Sequence, residues 1–192
     1  SDLEKAEHDS IPANVNLSDQ DRRQRIDEIF KPYHDAVAFH IKRIEGLGKV
    51  PILIDLHSFS PQFYKFRRPW DIGVLWLRYD TLARPLIDFF SKRGFNVGDN
   101  KPYDARKFHD VSAYLHAEIK GIPNAIVEFS NEEILEEDRA KKWVCMLWDA
   151  LKEIETSRMK YNQPSEKQYD EAIAEKYFDA LVDAAQDGHD LS

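Results

Sequence analysis

The chain of 192 residues contains a single cysteine and no apolar run of membrane length, and each scarcity excludes something. One thiol, Cys145, can form neither an internal disulfide nor a thiolate zinc cluster, and it suits a reducing compartment. Set in an apolar helical stretch, it reads as a small core residue. No stretch reaches the ~18 apolar residues of a membrane-crossing helix, and the polar opening SDLEKAEHDS is unlike a signal peptide. A cytoplasmic protein is expected. The first residue is not Met, which predicts a processed or truncated product. With only 7 Gly and 9 Pro, the composition is not that of a linker or fibre. Basic residues are in deficit, 27 against 35 acidic, for a formal charge of −8. No general attraction to nucleic acid or anionic lipid is therefore available.

What is present is a pattern of short apolar runs alternating with helical periodicity. Ser18, followed by Asp21, is a helix start with a carboxylate in its first turn. From there Ile26, Ile29, Phe30, Tyr33, Val37, Ile41 and Ile44 recur at helical spacing up to Gly46 and Gly48. Pro32 interrupts that run and predicts a kink or break near Lys31. Residues 50–56 (VPILIDL), 72–77, 95–97 and 125–129 read as strands, and residues 82–90, 111–120 and 132–154 as helices. The last helix is expected to turn Ile134, Leu135, Trp143, Leu147, Trp148 and Leu151 toward a core. A further amphipathic helix is expected over residues 169–185. Strands alternating with helices predict an α/β domain with a mainly parallel open sheet flanked by helices, whose functional residues gather at the carboxyl ends of strands. Residues 10–157 are expected to form that domain, and 158–192 a linker and terminal helix.

Two strand ends carry candidate chemistry. His57 follows the first apolar run, and Asp55, two residues earlier, shares its side of an extended chain. A carboxylate so placed can orient a metal-binding imidazole. The bland alternative is a hydrogen-bonded structural histidine. Glu128 ends the strand at 125–129, where partial desolvation would raise its pKa toward that of a general base; a surface or capping glutamate is the alternative. A zinc site needs about three protein ligands, and the chain has no HExxH or HxxE motif. His34 and His40 diverge on a helix, and His109 and His116, seven apart, stand ~10 Å apart along one. Arg67 and Arg68, before Pro69, could fork onto a substrate carboxylate or snorkel from an aromatic cluster. Asn100 and Tyr103 lie in a stretch, VGDNKPY, rich in turn formers.

In order, IPAN with LS, DRRQRIDEIFKPYHDA, IDLHSFSP, RRPWDIGVL, VGDNKPY, the His116-Ala117 step before GIP, and VEFSNEEI resemble the N-formylglutamate amidohydrolase family, in its broader predicted branch. The ordered matches run from about Ser10 to Trp148. The resemblance implies a fold like that of zinc carboxypeptidases and zinc-dependent hydrolysis of an N-acyl amino acid such as N-formyl-L-glutamate. It implies His57 as a zinc ligand and Glu128 as the base that activates water, with Arg68, Asn100 and His116 at the substrate. It also implies that the family's amino-terminal segment, which carries the other zinc ligands, precedes the first residue here. The expected partners are a small acidic N-acyl amino acid and, for the missing ligands, a partner chain or a homo-oligomer; nucleic acid and membrane are excluded. Ser130 stands where the family usually has Arg, and Glu132 where it has Asp, so carboxylate recognition is expected to differ. A non-catalytic small-molecule binding module and an interaction subunit are the alternative readings.

Overall fold

The computed structural model describes residues 17–63, 65–107, 110–154 and 156–162. The IPAN motif, His109 and the helix expected over 169–185 lie outside the described residues. Two compact units are distinguished, residues 1–40 with 165–192 and residues 41–164.

Ser18 caps α1 (Asp19–Arg25), its side-chain oxygen accepting from the Asp21 N–H. A π turn (Ile26–Phe30) follows, and then α2 (Lys31–Glu45). Pro32 therefore does not break the chain into separated helices. Its ring, which would press on the carbonyl four residues back, is accommodated by the wider turn just before it, where the Lys31 N–H reaches the Ile26 carbonyl. Of the expected apolar stripe, Ile41 is buried and Ile29 is 67% exposed.

In the larger unit, β1 (Leu53–Phe59) is followed by a small antiparallel hairpin of β2 (Gln62–Phe63) and β3 (Phe66–Arg67). Next come β4 (Ile72–Leu75), α3 (Ala83–Ser91), β5 (Val97–Asp99), α4 (Val111–His116) and β6 (Asn124–Ser130). Then α5 (Asn131–Ile134) and α6 (Glu137–Glu153) close the layer. The sheet runs β1-β6-β4-β5. β1 with β6 and β4 with β5 are parallel, and β4 with β6 is antiparallel. The architecture is the expected α/β one, mixed but mostly parallel.

β1 begins and ends later than its apolar run, because it pairs with β6 all the way to Phe59 opposite Ser130. Hydrogen bonding to the partner strand, rather than hydropathy, sets the end, so His57 lies inside the strand instead of just past it. Side chains alternate across a strand. Along β6, Ala125, Val127 and Phe129 join Ile72, Val74, Leu86 and Phe90 in the apolar core, and Ile126, Glu128 and Ser130 face the other way.

Trp143 on α6 anchors that core, with ring centroids 4.7 Å from Phe95, 5.3 Å from Phe129 and 5.7 Å from Phe90. Burial of each such ring contributes about 1.5–3 kcal/mol. Its stripe continues through Leu147 and Ala150. Trp148 lies five residues, or about 140° of helical rotation, from Trp143 and is 62% exposed. Cys145 is likewise exposed, against the expectation of a core thiol. The helix expected over 132–154 is two helices, split at an extended Glu136; Leu135, caught in the break, is exposed as well. Similarly, α4 stops at Ala117, and a short 3-10 turn (Glu118–Lys120) replaces its last residues.

Candidate active site

β1 and β6 are paired so that His57 stands opposite Glu128. Residues in register on neighbouring strands point to one face, and Asp55 joins that face by alternation. Across β6 the row continues to Gly73 on β4 and Gly98 on β5. The two glycines have a steric reason. A Cβ on Gly73 would lie 2.1 Å from the Lys101 carbonyl oxygen, and one on Gly98 2.6 Å from it. Absence of side chains there lets the segment after β5 fold back across the sheet beside Glu128.

α4 supplies the third acid. Asp110 is its N-cap, with Oδ1 accepting from the Ala113 N–H at 2.7 Å. The same carboxylate turns Oδ2 toward His57, 3.5 Å from Nε2, while Asp55 Oδ1 stands 3.5 Å from that nitrogen too. The imidazole is pushed up to about 10, first by Asp110, then by Asp55, against the effect of burial. Burial works to raise the Asp110 carboxyl, but His57 and the Ala113 N–H outweigh it and hold it low. Burial also pushes Glu128 up to about 7, in spite of the nearby His57. Glu128 is thus placed to exchange a proton near neutrality.

Asp55, His57 and Asp110 each offer one ligand atom, all within 4.8 Å of one another. Asp55 Oδ2 and Glu128 Oε2 are buried and have no hydrogen-bond partner among the described residues. A buried carboxylate oxygen without a partner is destabilising by about 1–3 kcal/mol. Three carboxylates around one imidazole leave an excess of negative charge even when the imidazole is protonated. One nitrogen and two oxygen donors beside such an excess fit a divalent cation of the zinc type. Asp110 was not found from the sequence. Its only signal there was an Asp before the apolar VSAYL run, which marks a helix cap, and nothing local connects a cap to a distant strand.

Arg68 comes to the same rim. It is buried between the rings of Phe63 and Tyr103, 4.7 and 4.9 Å from their centroids, and its charge bears on Glu128. Arg67 instead makes an exposed pair with Glu132, at 2.7 Å. That contact accounts for Glu132 as a surface partner. Asn100 is buried past the end of β5, where its Oδ1 accepts from the Trp76 N–H. Gly98 occupies the row of Glu128, and Asn100 follows it by two residues, its N–H bonded to the Val74 carbonyl. His116 is buried at the far end of α4, six residues or ~9 Å of helix rise from Asp110.

A family model of N-formylglutamate amidohydrolase matches residues 3–135, more than half of the chain. Among solved structures, the gene product Atu2144 from Agrobacterium tumefaciens is similar with a TM-score of 0.71 at 25% identity, over 79% of this chain and 60% of that one. The N-formylglutamate amidohydrolase from Ralstonia eutropha JMP134 is similar in fold, with a TM-score of 0.54 at 19% identity, over 71% of this chain and 55% of that one. The chain thus spans 55–60% of the length of these two structures. No curated protein matches it. Extent of the family match and likeness of fold lead to one conclusion: the chain belongs to the N-formylglutamate amidohydrolase family.

Proposed function

We propose that this chain carries the hydrolytic centre for the amide bond of an N-acyl amino acid, N-formyl-L-glutamate being the favoured substrate, with formate and L-glutamate as products. The observation that carries the reading is the convergence of Asp55, His57, Asp110 and Glu128 on one rim of the sheet from three separate elements. Family membership and the donor set favour zinc, which His57, Asp55 and Asp110 would hold. When bound there, such an ion would supply Lewis-acid chemistry toward the formyl carbonyl and water.

The chain's own groups do the rest. Glu128, raised to about 7 by burial, takes a proton from water as the oxygen adds to the formyl carbon. It returns that proton to the amide nitrogen as the carbon–nitrogen bond breaks, so one water is consumed and the carboxylate is restored. Arg68, fixed beside Glu128, binds a carboxylate of the substrate.

The test is formate release from N-formyl-L-glutamate by the zinc-loaded chain. Glu128→Gln, which keeps the shape and removes the base, is expected to lower kcat by about 100-fold or more. Full activity in that variant would remove Glu128 from the mechanism.

A further inference from the structure

Arg68 is held in an unusual way for a cation. It is 7% exposed, flanked by Phe63 from the β2–β3 hairpin and Tyr103 from the segment after β5. Its Nη1 donates to the Ser60 carbonyl at 3.1 Å and to the Tyr103 hydroxyl at 3.3 Å. Two segments far apart in sequence therefore meet on one guanidinium. Aromatic faces fix its plane, and the two hydrogen bonds fix its rotation within that plane, so all five N–H directions are set. Ser60 directly follows β1, whose last residue is paired with Ser130, two residues beyond Glu128. The fixed cation consequently belongs to the same rim as the base.

We propose that Tyr103 is a positioning residue that, with Phe63, clamps Arg68 as a preset fork for an anionic group of the substrate, and so determines selectivity for N-acyl amino acids with a free carboxylate over neutral ones. The proposal rests on the hydrolase reading for the identity of the substrate, not for the clamp itself. A flexible arginine loses side-chain entropy on binding; a clamped one has lost it already. Shielding by two rings also lowers the local dielectric, which strengthens the ion pair formed with a carboxylate. Carboxylate recognition then comes from Arg68, held between the β2–β3 hairpin and the segment after β5.

The experiment separates binding from turnover. Affinity of the zinc-loaded chain for N-formyl-L-glutamate and for its uncharged diamide is measured by calorimetry in a Glu128→Gln background, where substrate is not consumed; formate release is measured with Glu128 intact. Tyr103→Leu is expected to weaken binding of the dicarboxylate about tenfold and to leave the diamide unchanged. Tyr103→Phe, which keeps the ring, is expected to restore affinity to within about twofold. In turnover, Tyr103→Leu raises KM for the dicarboxylate with little change in kcat. Equal loss for both ligands, no loss for either, or no binding of the dicarboxylate by any version overturns the proposal. Tyr103-dependent binding without formate release upholds the clamp and overturns the hydrolase reading instead.

Discussion

Asp110 performs two tasks with two oxygens, and substitution can separate them. Oδ1 caps α4 through the Ala113 N–H at 2.7 Å, and Oδ2 stands 3.5 Å from His57 Nε2. Asn is as good a cap as Asp, whereas Ala loses about 1 kcal/mol. In the metal-free chain, Asp110→Asn should therefore melt within about 2 °C of the parent, and Asp110→Ala about 2–4 °C below it. Loss of the contact with a half-exposed His57 is partly offset in both variants by relief of repulsion from Asp55.

The charge matters to the ion. At a free zinc concentration of about 100 times Kd, binding stabilises the parent by ~2.7 kcal/mol. If removal of one anionic donor weakens binding about 100-fold, the same zinc concentration gives only ~0.4 kcal/mol. Differential scanning calorimetry with and without zinc should thus show an upward shift of about 5–10 °C in the parent and of about 1 °C in Asp110→Asn. Titration calorimetry checks the affinity directly. An unchanged zinc shift in Asp110→Asn would show that its carboxylate is no ligand; a metal-free melt as low as that of Asp110→Ala would show that the cap was misjudged.

Gly73→Ala should be severe, because its Cβ would lie 2.1 Å from the backbone carbonyl oxygen of Lys101, which no rotamer change relieves. A loss of about 1–3 kcal/mol is expected in urea melts, together with loss of formate release as the segment beside Glu128 shifts. Glu118 is 1% exposed, and burial holds its carboxyl above the usual range, with Asn124 donating to it at 3.1 Å. As pH rises through the ordinary carboxylate range the unfolded chain ionises first, so stability attributable to Glu118 is present at acid pH and lost on going to neutral. Glu118→Gln should consequently melt about 2–4 °C above the parent at pH 8 and close to it at pH 4; a gain at pH 4 alone would reverse the argument. Trp143→Ala is expected to lose about 3–5 kcal/mol and Trp148→Ala less than about 0.5 kcal/mol by chemical denaturation, since the first is 2% and the second 62% exposed.

Much of the fold was legible in residue order. The capping pair Ser18 and Asp21, the stop at Gly46 and the strand ending near Phe129 are local signals, and local physics acts on them directly. Errors fell where two surfaces compete for one residue. Trp148 and Cys145 are as apolar as Trp143, yet only the side of α6 facing Phe90, Phe95 and Phe129 is covered. The end of β1 was misplaced for a related reason: its length is decided by β6, which lies about seventy residues further along the chain.

By itself, the sequence determined the alternation of strands and helices, the presence of His57 and Glu128 in the carboxyl-terminal halves of two strands, and the family, because these depend on spacing and residue type. Only the tertiary structure decided that parallel pairing of β1 with β6 sets His57 opposite Glu128, that the cap of α4 delivers Asp110 to the same imidazole, and that bare glycines leave room for the segment that brings Tyr103 to Arg68. Register and close approach arise from hydrogen bonding and excluded volume between segments remote in sequence, and neither leaves a mark in any short stretch of it.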